Sequence, residues 1–205
     1  MSRAIVRVLA ILGGLALVAS GASAAPKLTV KGDAKAWAEI EAAFVKLAKL
    51  RSYRAKVTIT GGGGGTWEFA SPDRFRSVMD AGGVRTETIW VGQQVRLRQG
   101  NGPWQCVSWD MPSPATDTSK MSGEVTAQKG PVGVVDGVQT QTYTFTWKNT
   151  IPGAFTMTIV NKVFVTIATG LVKRAQTLDD KGAVTSQNDY YDYNAPIKID
   201  LPACG

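Results

Sequence analysis

Few side chains in this sequence are of the types that catalysis uses. The 205 residues include no histidine, which excludes histidine-based triads, histidine-ligated zinc and imidazole proton transfer. There is no Gly-x-Ser-x-Gly motif, and no serine is followed three positions later by a lysine. Because the sequence offers no nucleophile with a matching base, we expect no enzymatic activity.

Two segments hold groups that can bind ions in other proteins. Asn188–Asn194 combines two carboxylates with three phenols, but it lacks the ligand series of a calcium loop, and alternation along a strand would separate neighbouring side chains. Gly61–Gly65 lacks the Gly-Lys-Ser/Thr of a phosphate loop and precedes a strand rather than a helix. We therefore predict a strand with one aromatic face and a hairpin tip, with neither a metal site nor a cofactor.

The two cysteines, Cys106 and Cys204, are most simply interpreted as one disulfide in an oxidising, exported compartment. Such a bond would attach the C-terminal tail to the middle of the chain. Two free thiols are the alternative. A catalytic cysteine is less favoured, because no histidine is available to lower its pKa and no Cys-x-x-Cys motif is present.

The first residues have the pattern of a secretory signal peptide. Arg3 and Arg7 precede the apolar run Val8–Val18, and the small residues Ala19–Ala24 end in an Ala-x-Ala pattern. The run is shorter than the roughly 18 to 20 apolar residues of a membrane-spanning helix. We predict a cleaved segment over residues 1–24 and a soluble mature protein, without a lipid-modified N-terminus because no cysteine lies near the cleavage point.

Loss of Arg3 and Arg7 with that segment would lower the formal net charge from +7 to +5. The sequence has no recognisable nucleic-acid-binding module, and export argues further against a nucleic-acid partner. The positive sign is compatible with attraction to an anionic membrane surface.

The remaining sequence favours one helix followed by many short strands. The 22 glycines and 9 prolines favour many short strands joined by turns over a helical bundle. Asp33 can cap an amphipathic helix that runs to about Leu50, and from Tyr53 the apolar period changes to two. We predict a single domain over residues 25–205, of the α+β class with about ten or eleven mainly antiparallel strands, in which residues 111–131 form a loop or weak helix suited to a mobile flap.

Large apolar side chains recur on the predicted strands and on one face of the predicted helix. They have two interpretations that composition alone does not separate. In the first, they pack an ordinary core. In the second, a strongly curved sheet beneath one helix encloses a cavity that receives an apolar ligand.

A resemblance to a known superfamily comes from a series of short motifs in a fixed order. They are Phe44–Tyr53, Ser71–Arg76 (SPDRFR), Ile89–Gly92 (IWVG), Gly102–Trp104 (GPW) and Tyr190–Asn194 (YYDYN). This order resembles the periplasmic lipoprotein carriers and lipid-binding lipoproteins, the LolA and LolB group with its LppX and LprG relatives. The resemblance covers about residues 35–204.

The resemblance implies a half-open, curved antiparallel β-barrel with the N-terminal amphipathic helix lying across its concave face. It further implies an exported, periplasmic carrier or binding protein for a lipid, an acyl chain or a lipoprotein, working without a cofactor. The candidate lipid-binding residues are Trp37, Phe44, Val57, Ile59, Trp67, Phe69, Met79, Trp90, Leu97, Phe145, Trp147 and Met157.

One position departs from the pattern of the lipoprotein carriers. In those proteins an arginine before the strand-initiating proline links the barrel to its lid, whereas Ser71 precedes Pro72 here. The lock is therefore missing or replaced, which weighs against the specific task of ferrying lipoproteins. The alternative function is an envelope protein-interaction or stress-sensing module built on the same fold.

Overall fold

The computed structural model describes residues 27–108, 122–151 and 155–205. The predicted signal segment, residues 1–24, and residues 111–121 of the predicted flap lie outside these ranges. None of the helices within the described ranges is long and apolar enough to cross a membrane.

The described residues form one helix and twelve strands. The helix is α1 Ala34–Ala48. The strands are β1 Lys27–Gly32, β2 Ser52–Ile59, β3 Gly63–Ala70, β4 Arg74–Ala81, β5 Val84–Val91, β6 Gln94–Gln99, β7 Gln105–Ser108, β8 Ser122–Val135, β9 Val138–Ile151, β10 Phe155–Thr166, β11 Val172–Leu178 and β12 Val184–Tyr191.

All twelve strands of the described ranges belong to one sheet, in the order β1-β8-β9-β10-β11-β12-β2-β3-β4-β5-β6-β7. Most neighbours are antiparallel, as predicted, and β1 pairs with β8 in parallel. The sheet is not closed, since β1 and β7 stand at its two edges. Residues distant in sequence meet at the centre, where β12 pairs with β2.

The predicted amphipathic helix is confirmed. The carboxylate of Asp33 accepts a hydrogen bond from the amide of Ala36 (3.0 Å), which satisfies one of the free N–H groups of the first turn. Trp37, Ile40 and Leu47 are buried on the sheet side, as their spacing requires. The helix lies closest to β8 and also approaches β1, β9, β10 and β11.

The prediction of a loop or weak helix over residues 111–131 is wrong from Ser122 onward, where β8 begins. Val125 and Ala127 alternate with polar residues and are completely buried, so this segment follows a strand period. The polar residues between them, together with Pro131, hid that period. Pro131 falls where the β8–β9 ladder is irregular, a position at which a strand tolerates the missing N–H.

Two further differences affect the number of strands, which is twelve instead of the predicted ten or eleven. Residues 27–32 form β1, a strand that pairs with a segment about a hundred residues later, instead of an extended lead-in. In the opposite sense, the two strands predicted over 155–168 are one continuous strand, β10. The first of these errors concerns a pairing between distant segments, which local sequence patterns do not specify.

The C-terminal tail covers one face of β3–β6. Ile199 is buried together with Ala70 and Ile89, and its carbonyl accepts a hydrogen bond from Arg74 (2.5 Å). The predicted disulfide between Cys106 and Cys204 is present, with a Cα–Cα distance of 5.7 Å. It holds the end of the tail on edge strand β7.

We expect the double substitution Cys106→Ser/Cys204→Ser to lower the free energy of unfolding by about 4 kcal/mol. The bond joins residues 98 positions apart, so its loss returns much conformational entropy to the unfolded chain. Urea denaturation under non-reducing conditions measures the loss. Wild-type protein in dithiothreitol serves as the matched control and should unfold at the same urea concentration as the double variant. Equal stability of the variant and the oxidised wild type would contradict this expectation.

Candidate functional site

The strand registers place the ten candidate residues on strands on one face of the sheet. Paired residues of neighbouring strands point their side chains to the same face, and alternate residues of one strand do so as well. Ala55 of β2 pairs with Trp67 of β3, and Trp67 pairs with Ser77 of β4. Ser77 pairs with Thr88 of β5, and Thr88 pairs with Leu97 of β6. The face so defined carries α1 and is called the inner face below.

The same reasoning places the remaining candidates. Tyr53 pairs with Phe69, Phe69 pairs with Phe75, and Phe75 pairs with Trp90. On the other side of β2, Val57 pairs with Asn188 of β12. From Asn188, residues paired on the same face continue through β11 and β10 to β9. The other candidates that these registers place on the inner face are Val57, Ile59, Met79, Phe145, Trp147 and Met157.

The candidates form one buried group and one half-buried group. Trp37, Val57 and Trp67 are buried in the main core cluster. Partly buried candidates packed against that cluster are Phe44, Ile59, Met79, Phe145 and Trp147. The others, also half-buried, are Phe69, Trp90, Leu97 and Met157. The inner face is therefore well packed near the helix and less covered on β3–β6.

Several inner-face aromatic residues were not among the sequence candidates. Tyr53 stacks on Phe69 with ring centroids 5.1 Å apart, and Phe75 lies 6.0 Å from Trp67 and 6.1 Å from Trp90. Phe75 could have been found from the sequence, because it follows the Ser71–Asp73 turn and so lies opposite Phe69 in a hairpin. Residues opposite each other in a hairpin share one face of the sheet. Tyr53 could have been found from its alternation with Ala55 and Val57.

Burial keeps the phenols of this region protonated. Burial raises the pKa of Tyr53 to about 12 and raises the pKa of Tyr190 well above its usual value. The hydroxyl of Tyr193 donates to the carbonyl oxygen of Val172 (2.6 Å), and burial raises its pKa as well. Uncharged phenols are compatible with an apolar environment.

Polar contacts fix α1 to the sheet. The Glu39 carboxylate accepts hydrogen bonds from Lys129 Nζ (2.7 Å) and from the Tyr143 hydroxyl (2.6 Å). The hydrogen bond from Lys129, followed by that from Tyr143, lowers the pKa of Glu39. Nearer the C-terminal end of the helix, Lys46 Nζ donates to the carbonyl oxygen of Thr169 (3.2 Å). These contacts attach the helix to β8, β9 and the turn after β10.

The opposite, outer face is charged. Glu87 is buried and accepts hydrogen bonds from Arg76 Nε (2.7 Å) and Arg98 Nη2 (2.6 Å). Burial raises the pKa of Glu87, but these hydrogen bonds outweigh burial and hold it below its usual value. On the same face, Glu68 forms an ion pair with Arg54 (2.8 Å).

An open cleft of about 370 Å³ lies on this outer face of β3–β5. Its lining residues are Gly65, Thr66, Glu68, Arg76, Val78, Asp80 and Arg85. The cleft is polar and lies across the sheet from the candidate lipid-binding residues, so it does not correspond to the predicted apolar cavity. That cavity stays a prediction.

The carboxylates of the Asn188–Asn194 segment are engaged by arginines. Asp189 forms an ion pair with Arg174, and Asp192 pairs with Arg54 (2.7 Å). Asp189 also accepts a hydrogen bond from the side-chain amide of Gln187 (2.8 Å). These contacts account for the two carboxylates as outer-face partners of β2 and β11.

No protein-family model and no curated protein matches the sequence. Among solved structures, the Mycobacterium tuberculosis lipoprotein LppX is 20% identical with a TM-score of 0.57, covering 82% of this chain and 100% of that one. LprF from Mycobacterium bovis is 12% identical with a TM-score of 0.58, covering 84% and 99%. MucB is also matched, but its TM-score of 0.39 is too low to indicate a common fold. The fold of this chain is therefore similar to that of LppX and LprF, as the resemblance to the LppX relatives predicted.

We expect Glu39→Gln to weaken the attachment of the helix. Loss of the Glu39 carboxylate should lower the free energy of unfolding at pH 7 by about 0.5–1 kcal/mol. The effect is small because the ion pair of Glu39 with Lys129 is partly exposed and screened by solvent. The lowered pKa means that the carboxylate stabilises the fold above its unfolded pKa of about 4.3, and that this contribution disappears as the pH falls through the folded value. Urea denaturation at pH 7 and at about pH 3 should show the difference from wild type shrinking in acid.

Glu41→Gln is the matched control, since Glu41 is an exposed carboxylate on the same helix. Hydrogen exchange of the α1 amides should accelerate in the Glu39 variant and stay at the wild-type rate in the control. Equal effects of the two substitutions would show that Glu39 has no special role in holding the helix.

Proposed function

We propose that the protein is an exported, non-enzymatic carrier or binding protein that holds a lipid or acyl chain in the bacterial cell envelope. The observation that carries this proposal is the asymmetry of the two faces on β3–β6. The outer face is ion-paired or covered by the C-terminal tail. The inner face presents aromatic and aliphatic side chains that are only half-buried, and an apolar surface of this kind favours an apolar partner.

An acyl chain matches the chemistry of this face. Its lining is aromatic and aliphatic at Phe69, Trp90 and Leu97. Burial of a chain stabilises the complex by about 0.8 kcal/mol per methylene group, so about ten buried methylenes provide roughly 8 kcal/mol before the entropic cost of association. We assign the role of ligand contacts to the twelve candidate residues named from the sequence.

The proposed geometry is a half-open barrel with α1 across its concave face. The edge-to-face contact of Trp37 with Phe145, whose ring centroids are 5.6 Å apart, joins the helix to β9. Glu39 and Lys46 hold the helix against β8, β9 and the turn after β10. A helix fixed over one half of the sheet leaves the inner face of β3–β6 as the side from which a ligand enters.

The proposed location is the periplasm. It rests on the signal-like pattern of residues 1–24, with residues 25–205 as the exported binding domain. A disulfide is consistent with an oxidising compartment, because such bonds rarely persist in the cytosol.

A second candidate function is contact with another envelope component, either a protein or the membrane surface. It is favoured by three exposed apolar side chains at the β8–β9 hairpin and the end of β10. Val132, Val134 and Ile167 are 59%, 67% and 52% exposed. A protein partner that is retained from envelope extracts after complete delipidation would favour this function over lipid carriage.

Leu97→Glu should weaken acyl-chain binding at least tenfold, because it places a charge on the proposed binding face of β6. Displacement of a fluorescent fatty acid measures the affinity, and native mass spectrometry of the purified protein tests for bound lipid. Gln94→Glu is the matched control, since it adds the same charge to the same strand on the outer face. Absence of any bound or added lipid in the wild type would overturn the proposal.

A further inference from the structure

Three exposed aliphatic residues lie close together at one end of the sheet. Val132 and Val134 are alternate residues of β8, so their side chains point to the same face. Val134 pairs with Gln139 of β9, and the carbonyl oxygen of Gln139 accepts a hydrogen bond from the amide of Ile167, just after β10 (3.1 Å). Each of the three aliphatic residues is more than half exposed. Val132, Val134 and Ile167 are called the hairpin patch below.

The hairpin patch continues the inner face beyond the area that the helix covers. Val132 pairs with Gln141 of β9, and Gln141 pairs with Val165 of β10. Val163 and Val165 are buried in the main core cluster together with residues of α1, whereas Ile167 at the next alternate position is exposed. A cluster of apolar side chains outside the core marks a surface that a partner covers.

Lysines border the hairpin patch. Lys46 of α1 donates to the carbonyl oxygen of Thr169, two residues after Ile167 (3.2 Å). The Lys46 ammonium group belongs to none of the ion pairs formed by the described residues. Lys129 lies three residues before Val132, and its side chain is 40% exposed.

The carboxylates next to the hairpin patch are paired within the protein. Glu39 forms an ion pair with Lys129 (2.7 Å). Asp136, at the tip of the β8–β9 hairpin, pairs with both Lys173 (3.3 Å) and Arg174 (3.4 Å). Because these carboxylates are neutralised and the helix lysine described above has no such partner, the border of the patch is positively charged.

We propose that the hairpin patch docks the protein on an anionic phospholipid bilayer, with its three aliphatic side chains entering the interface and Lys46 and Lys129 contacting the headgroups. At a membrane surface, buried apolar area and the attraction of basic residues to anionic lipids both add to the binding strength. This inference rests on the second candidate function, contact with an envelope component, and names the membrane as that component. It is independent of the acyl chain proposed for β3–β6.

The same features fit a protein partner less well. Protein interfaces are depleted in lysine and are dominated by aromatic residues and arginine, whereas the hairpin patch is aliphatic with a lysine border. A second copy of the chain is also disfavoured, because three side chains cover far less than the roughly 800 Å² that each partner of a stable dimer buries.

Co-sedimentation with phospholipid vesicles measures the docking. Protein recovered from the exported fraction is mixed with vesicles of phosphatidylcholine alone or with vesicles that contain roughly one-third phosphatidylglycerol. At about 0.05 M salt, we expect binding to the anionic vesicles to be at least about tenfold tighter than binding to the neutral ones. This preference should shrink at about 0.5 M salt, where exposed charges are screened.

Val134→Thr should weaken binding to the anionic vesicles about fivefold, because a hydroxyl group replaces a methyl group that enters the interface. Threonine keeps the β-branched shape that suits a strand, so the fold should not change. The triple substitution of the hairpin patch to threonine should weaken binding by at least about thirtyfold. Val84→Thr is the matched control, since Val84 is an exposed valine of β5 outside the patch, and should bind as the wild type does.

Lys46→Gln should lower the affinity for the anionic vesicles about fivefold and leave the affinity for the neutral vesicles unchanged. Glutamine can still donate to the carbonyl oxygen of Thr169, so the helix keeps this contact. Lys181→Gln is the control for charge, because Lys181 is exposed in the β11–β12 turn, at the other end of β11 from Thr169.

Unchanged vesicle binding by the triple variant would overturn the inference, and so would equal losses in the Val134 and Val84 variants. A wild type that binds no vesicles but retains a protein partner from delipidated envelope extracts would overturn the inference and leave the second candidate function with a protein. A wild type that binds neither would overturn both. Displacement of a fluorescent fatty acid should be the same for the triple variant and the wild type, so that lipid carriage is judged separately.

Discussion

The register of one open sheet is the constraint on which the rest of the structure depends. Side chains alternate between two faces, so a slip of a single residue would exchange the apolar face and the charged face of a strand. On β3–β6 that exchange would place Glu68 and Glu87 beneath aromatic residues and expose Trp67 to solvent. The outer-face pairs of Arg54, Glu68, Arg76, Glu87 and Arg98 oppose it, because they form only in the native register.

The C-terminal tail gives β3–β6 a second layer without using the inner face. Ile199 and its neighbours bury the apolar positions on the outer side, and the bond between Cys106 and Cys204 holds this layer in place. Because these strands gain stability from the outer layer, their inner face does not have to be fully covered by the protein itself. An incompletely covered inner face is what the proposed binding of an apolar ligand requires.

Sequence patterns could predict the parts of this structure that depend on short-range chemistry. The helix capped by Asp33, the hairpins from β2 to β6 and the common face of Trp67, Met79 and Leu97 follow from capping, turns and alternation. Strand β1 could not be predicted, because its pairing with β8 joins distant segments, and β8 was missed because its polar residues and Pro131 hid the strand period. For the same reason the contact of Glu39 with Lys129 and Tyr143 was missed: no local signal connects residues separated by about a hundred positions.

An apolar face cannot by itself distinguish a protein core from a ligand site, because hydrophobic burial has no preferred direction or partner. The same Phe69, Trp90 and Leu97 would serve either purpose. Measured affinity for an acyl chain, and not the composition of the face, separates the two interpretations of Phe69, Trp90 and Leu97.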